Sequence, residues 1–127
     1  MTTTIPASAD AAATVSATGP TAPTWGLLVT CHARLLLGQH DLAAAACDKA
    51  AGGDPNAWSV HLYLAAAQAN LGNLEQARSS LQVVDRMSPG HTIARLRNYR
   101  HWSNPEYQRL AEDTYYAGLK KAGMPER

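Results

Sequence analysis

The sequence predicts an all-α fold built from about three antiparallel helical hairpins. The chain matches itself at an offset of 34 residues, which aligns Gly38 with Gly72 and Pro55 with Pro89. Between these points apolar residues recur every three or four positions, as they do along an amphipathic helix. Glycine and proline follow each run, where they turn the chain or stop a helix. A fixed period of this length is typical of stacked helical units.

The first hairpin is predicted over residues 25–55. Its first helix covers 25–37, and its second helix ends before Pro55, because proline disfavours helical geometry in the residue that precedes it. Asp41 falls in the opening turn of the second helix, where the helix dipole favours a negative charge.

The second hairpin is predicted over residues 58–89 and repeats the same plan. Its first helix is expected to end at Gly72, since glycine readily takes the left-handed conformation that turns the chain. Asn73 then stands at the N-cap with Gln76 three residues later, which is the capping-box pattern.

The third hairpin, over residues 91–122, is less regular and is followed by a short tail, 123–127. Asn104 is an expected N-cap, and Pro105 suits the first helical position because its missing N–H would have no helical partner there. The two predicted helices of this hairpin are 91–102 and 105–121.

Residues 1–24 are expected to form a disordered leader. They are rich in Ala, Thr, Ser and Pro, with Asp10 as the one charge, and such a segment buries too little apolar surface to offset its ordering entropy. The segment lacks the basic and apolar regions of a secretory signal. No stretch of the chain has the roughly 18 apolar residues of a membrane span. These features predict a soluble, cytoplasmic protein.

The repeated positions resemble the tetratricopeptide repeat family. That family places a small residue midway along the first helix, Leu-Gly at its end, Ala early in the second helix and a closing Pro. The residues at these positions are Cys31, Leu37-Gly38, Ala43 and Pro55, then Ala65, Leu71-Gly72, Ala77 and Pro89. The family's Trp and Tyr are replaced, by Leu27 and Arg34 in the first hairpin and by His61 and Gln68 in the second.

The resemblance implies a non-catalytic module that binds another polypeptide in a concave groove. The first helix of each pair would line that groove, with Leu28, Leu35 and Leu62 making apolar contacts, unless these leucines serve only as core. Asn70 would bind a peptide backbone, and Arg100 would pair with a carboxylate of an acidic partner. The full set of implied groove residues is Trp25, Leu28, His32, Leu35, Leu62, Ala66, Asn70, Leu96 and Arg100.

The segment 118–126 also resembles the end of repeat domains found in some bacterial adenylate or guanylate cyclase proteins. The catalytic domain of those proteins has no counterpart in this chain. The resemblance therefore implies, as an alternative function, a regulatory or scaffold part of such a cyclase or transcription-regulator type protein. An ordinary helix stop at Gly123 would explain the same residues.

No residue pattern in the chain predicts a catalytic, metal or cofactor site. The five histidines lack the i, i+4 spacing of a helical metal site. Cys31 and Cys47 form no Cys-x-x-Cys motif, so we expect them to be free, buried and reduced. There is no phosphate-binding glycine loop and no Gly-x-Ser-x-Gly motif.

Charge and hydropathy suggest two further partners. The net charge is +1, but Arg95, Arg97 and Arg100 lie among aromatic residues, so nucleic-acid binding through 91–102 is a lesser alternative to an acidic polypeptide. The first helix is apolar on more than one side, and a single neighbouring hairpin covers only one of them. We therefore expect a further partner there: a second copy of the chain in a homo-oligomer, upstream repeats or the bound polypeptide.

Overall fold

The computed structural model describes residues 24–54, 56–98 and 104–127, and within them all regular structure is helical. The predicted leader lies outside these residues except for Thr24, and Pro55 lies outside them as well. Five helices come first: α1 Thr24–Leu36, α2 His40–Gly53, α3 Trp58–Asn70, α4 Leu74–Met87 and α5 Ile93–Arg97. The sixth, α6, spans 105–122, with α-helical Pro105–Ala111 and Ala117–Ala122 on either side of π-helical Glu112–Tyr116.

Two helical hairpins form the predicted repeat. The pairs α1–α2 and α3–α4 pack side by side, and α2 also packs against α3. Gly38 and Gly72 end the first helix of each pair with φ angles of 79° and 88°, a conformation that a side chain would strain. The all-α hairpin fold is therefore confirmed, with helix ends within a residue or two of those predicted.

The contacts between helices depend on small residues. Ala43 and Ala77 are completely buried, as are Ala65 and Ala67 on α3. Because alanine brings little volume to a contact, the helix backbones approach closely. The larger buried side chains, among them Leu35 and Val84, fill the spaces between these contacts.

The two asparagines predicted as N-caps behave differently. Asn104 accepts hydrogen bonds at its Oδ1 from the backbone N–H groups of Glu106 and Tyr107, at 2.8 and 3.1 Å. Asn73 stands at the start of α4 but makes no side-chain cap. Its Nδ2 donates to Gln68 Oε1 at 2.8 Å instead. The capping-box prediction is therefore wrong, because the Asn73 side chain is directed to the end of α3 by its bond to Gln68 and makes no bond to the first turn of α4.

Cys31 and Cys47 form a disulfide, contrary to the expectation that both thiols are free. Cys31 lies midway along α1 and Cys47 midway along α2, with their Cα atoms 5.3 Å apart and both residues completely buried. No sequence motif predicts this pair, because the two helices are antiparallel and residues far apart in the chain face each other. Disulfides persist mainly in oxidising compartments, and this one gives no support to the predicted cytoplasmic location.

The third hairpin departs most from the repeat. The helix predicted over 91–102 is observed over Ile93–Arg97, and residues 99–103 lie outside the described part of the chain. The tail holds the start of α5, since the N–H groups of Ile93 and Ala94 donate to the carbonyls of Pro125 and Glu126 at 3.0 and 2.9 Å. These carbonyls satisfy backbone donors that the first turn of a helix leaves without partners.

Candidate polypeptide-binding face

Helix α6 lies across α1 and α3, two of the three helices that were predicted to line the groove. We call the surface of α1 and α3 beneath it the α6-covered face and define it by His32, Tyr63, Ala66 and Asn70. Three sets of contacts hold α6 there, and they are spread along its whole length.

The first set is an aromatic cluster around His32. Its imidazole stacks on Tyr63 with ring centroids 4.3 Å apart and meets the rings of Tyr107 and Tyr115 edge-on at 5.7 and 6.1 Å. The His32 Nε2 and the Tyr107 hydroxyl are hydrogen-bonded at 3.0 Å. Burial lowers the pKa of His32 to about 4 and raises the pKa of Tyr107. The cluster is therefore uncharged at neutral pH, as an apolar contact requires.

The second set joins Asn70 to α6. Its Nδ2 donates to the backbone carbonyl of Thr114 at 2.9 Å, and its Oδ1 accepts from Lys121 Nζ at 3.2 Å. The Thr114 hydroxyl, in the π-helical region, donates to the carbonyl of Leu110 in the preceding α-helical part at 2.8 Å. A π turn displaces carbonyls from the regular helical ladder, so outside donors such as Asn70 can reach one.

The third set is a close backbone approach at Gly118. A Cβ built on Gly118 would lie 2.5 Å from the carbonyl oxygen of Ala66 and 2.8 Å from its Cα. No side chain fits in that space, so only glycine allows α6 to lie this close to α3. The contact fixes the position of α6 along α3.

The structure brings most of the predicted groove residues to the interior. Leu35, Leu62, Ala66 and Leu96 are at most 3% exposed, and Leu28, His32 and Asn70 are partly buried. The Trp25 side chain and Arg100 lie outside what the structure describes. The leucines are thus core residues, which is the alternative that the sequence left open. His32, Ala66 and Asn70 contact α6, and of the three only Ala66 is fully buried.

Sequence reasoning missed Tyr63, Tyr107, Tyr115 and Gly118. One signal was available for Gly118, because an isolated glycine inside a helical pattern usually marks a close packing contact. The tyrosines gave no comparable signal. Two of them lie on α6, whose π turn breaks the helical period by which side chains are assigned to a face.

The basic residues of α5 are engaged within the chain. Arg97 binds the carboxylates of both Glu112 and Glu126, and its guanidinium lies 5.5 Å from the centre of the Tyr116 ring. The hydrogen bond with Arg97 is the main cause of a lowered pKa at Glu126. Arg95 donates to the Gly90 carbonyl at 2.6 Å. These two arginines therefore hold the tail and α5 in place. Arg100, which was predicted to pair with a carboxylate, lies outside the described residues.

Other polar residues form no convergent site in the described part of the chain. Histidine, cysteine and acidic side chains make no group of three that could hold a metal ion there. His91 lies against Trp58 with ring centroids 4.5 Å apart and is hydrogen-bonded to the Ser88 hydroxyl at 3.0 Å, which ties the loop after α4 to α3. None of the described helices has the length and apolar character needed to cross a bilayer.

A protein-family model described as a tetratricopeptide repeat matches residues 34–98. No curated protein and no solved structure matches the chain. The matched segment is just over half of the 127 residues and runs from the last turn of α1 through α5. Proteins with these repeats generally serve protein–protein interaction. The match and the hairpin architecture agree, and the chain belongs to the tetratricopeptide repeat family.

Proposed function

We propose that this protein is a non-catalytic binding module that receives a helical segment of a partner protein on the α6-covered face. One observation carries the proposal: that face already holds an 18-residue helix, α6, through contacts along its whole length. Recognition of an amphipathic helix in a groove is a common mode of polypeptide binding. The repeats would supply the groove, and α6 illustrates the kind of segment that fits it.

The contacts of α6 define the features that a competing helix needs. It must present an aromatic ring to His32 and Tyr63, and a glycine opposite Ala66. It must also offer a carbonyl to Asn70. A partner helix with these features would replace α6, because the two cannot occupy one face together.

Competition with α6 would lower the apparent affinity for a partner. A segment of the same chain acts at a high effective concentration, so a partner meets an open face in only a fraction of molecules. The apparent dissociation constant rises in inverse proportion to that fraction. Weakening the contacts of α6 should therefore strengthen the binding of a partner.

The other predicted partners have less support. Arg95 and Arg97, two of the three arginines that favoured an acidic partner or a nucleic acid, bind groups of this chain. In the segment that resembles the cyclase-associated repeats, Gly118 packs on Ala66 and the Met124 side chain is buried. These roles explain the residues without a cyclase, although a scaffold part remains the alternative function.

A peptide of residues 104–124 with a fluorescent label tests the proposal by anisotropy. We expect little binding to the wild-type chain, since its own α6 occupies the face. The Gly118→Val chain should bind the wild-type peptide at least about tenfold more tightly, because the new side chain displaces the intramolecular helix.

Two controls make that result specific. The same peptide carrying Gly118→Val should not bind either chain, and a Gly52→Ala chain should behave as the wild type, because a Cβ at Gly52 meets open space. Circular dichroism must show that the Gly118→Val chain keeps its helices. If that folded variant fails to bind the peptide, the α6-covered face is not a helix-binding site.

A further inference from the structure

A cleft of about 210 Å³ opens on the outer side of the first hairpin. Its walls come from one side of α1 and one side of α2, and they consist of Leu27, Thr30, Arg34, Leu42, Ala45, Ala46 and Lys49. On α1 these residues differ from His32, which meets α6. At 100° per residue they point to another side of the helix. The cleft is thus separate from the α6-covered face.

Two observations indicate that the cleft is incomplete as it stands. Leu42 is 49% exposed although it lies beside the buried Leu27. Thr30 is only 3% exposed, and its hydroxyl has no hydrogen-bond partner among the described residues. A buried hydroxyl without a partner is costly, and this cost falls on the wall of the cleft.

The exposed residues of α2 beside the cleft have a symmetric arrangement. Asp41 lies four residues before Ala45 and Lys49 four residues after it, all three exposed on neighbouring turns of the helix. Neither Asp41 nor Lys49 forms an ion pair in the part of the chain that the structure describes. If an identical helix packs antiparallel with its centre at Ala45, each Asp41 faces Lys49 of the partner subunit.

We propose that a second copy of this chain docks over the cleft, with the two α2 helices antiparallel about a two-fold axis at Ala45. The small side chain of Ala45 lets the helices approach at the axis. Leu42 lies three residues from the axis, so it leaves solvent and covers the apolar wall of the partner's cleft. An isologous contact needs a surface that is complementary to itself, and the positions of Asp41 and Lys49 provide this.

The contact is small. At about 1.5 Å per residue, α2 is about 20 Å long, so the interface lies at the lower end of the size range for specific interfaces. The dimer should therefore dissociate on dilution. The charges at its rim should determine the register of the two helices more than the affinity of the dimer.

Charge reversal tests the proposed register. Sedimentation velocity over a range of concentrations should show a monomer–dimer equilibrium for the full wild-type chain. Asp41→Lys alone or Lys49→Asp alone should raise the dissociation constant about tenfold or more, because each puts like charges opposite one another. The double variant Asp41→Lys/Lys49→Asp should restore dimerisation, since it exchanges the two charges.

The controls separate this dimer from other occupants of the cleft. Lys120→Asp, on α6, changes a lysine outside the cleft and should leave dimerisation unchanged. A chain that is monomeric at every concentration overturns the proposal. So does a dimer that ignores both single reversals, or a double variant that stays monomeric. If deletion of residues 1–23 turns a monomer into a dimer, the leader is the occupant and the proposal is wrong. None of these results depends on helix binding at the α6-covered face.

Discussion

The imidazole of His32 connects the pH of the solution to the stability of the fold. Burial lowers its pKa from 6.5 to about 4 in the folded chain. Between those two values the unfolded chain carries a proton on His32 that the folded chain does not bind, so stability falls as the pH falls. One pKa unit corresponds to about 1.4 kcal/mol, so we expect a loss of about 3 kcal/mol from pH 7 to pH 4.

Denaturant unfolding at several pH values measures this loss, and the His32→Phe variant isolates it. Phenylalanine keeps a ring between Tyr63 and Tyr107 but does not titrate. Burial also lowers the pKa of His40 and His91, but both remain in the variant, so they cancel in the comparison. The variant should be less stable at pH 7 and show a flatter pH profile. Equal slopes for the two chains would mean that His32 is not held neutral by the fold.

Gly118 and Gly52 form a matched pair for testing the close approach of α6. A methyl group on Gly118 would collide with the Ala66 backbone, whereas one on Gly52 meets nothing within 4 Å. Gly118→Ala should therefore cost about 1–3 kcal/mol of unfolding free energy, the range for overpacked sites. Gly52→Ala should gain up to about 1 kcal/mol, because alanine favours the helix. Thermal melts of both variants check this, and a neutral Gly118→Ala would contradict the observed contact.

At the scale of elements, the disulfide makes the first hairpin a covalent unit. Cys31 and Cys47 are 16 residues apart in the chain, and a loop of that length is worth about 3 kcal/mol in the chain-entropy account. Reduction of the wild-type chain should therefore lower its unfolding free energy by about that amount. Far-UV circular dichroism should still show a helical chain before unfolding, since the disulfide joins only α1 and α2.

The Cys31→Ala/Cys47→Ala variant separates the bond from the packing of the sulfur atoms. Both residues are completely buried, so their truncation also leaves small cavities. The variant should be less stable than the reduced wild type, which keeps both sulfur atoms in the core. If reduction leaves the wild-type midpoint unchanged, the bond does not contribute to the stability of the hairpin.

At the scale of the whole molecule, the repeat domain should fold without residues 1–23. The core lies in α1 to α6, and the composition of the leader provides little apolar surface to add to it. Deletion of these residues should leave the thermal midpoint unchanged within error. A fall of several degrees would show that the leader packs on the domain and has to be included in its fold.

Hydrophobic periodicity was enough to predict the two regular hairpins, because the apolar residues of each helix keep a constant spacing up to the glycine or proline that follows it. Spacing identified the helices but not which of their sides α6 would cover. For that reason Leu62 was left between groove and core and Ala66 was placed in the groove, and both are buried. The pairing of Cys31 with Cys47 was missed because it depends on how two helices are aligned rather than on their separate sequences. The hydrogen bonds that join α6 to α1 and α3 are non-local in the same way, since they connect residues 44 to 75 positions apart.

The π turn over Glu112–Tyr116 makes the length of α6 as important as its composition. Five residues there occupy about the length of helix that four would normally fill. Compared with an unbroken α-helix of the same number of residues, the two flanking segments are therefore rotated relative to each other by about 100°. That rotation lets Tyr107 face His32 while Gly118 faces Ala66. Loss of one exposed residue such as Asp113 would let the remaining four residues form a regular α-turn of about the same length, so Tyr107 and Gly118 would keep their positions against α1 and α3. An added residue would have no such turn to absorb it and would rotate Gly118 away from α3 by about 100°, so related chains that share this packing should accept a deletion in the turn but not an insertion.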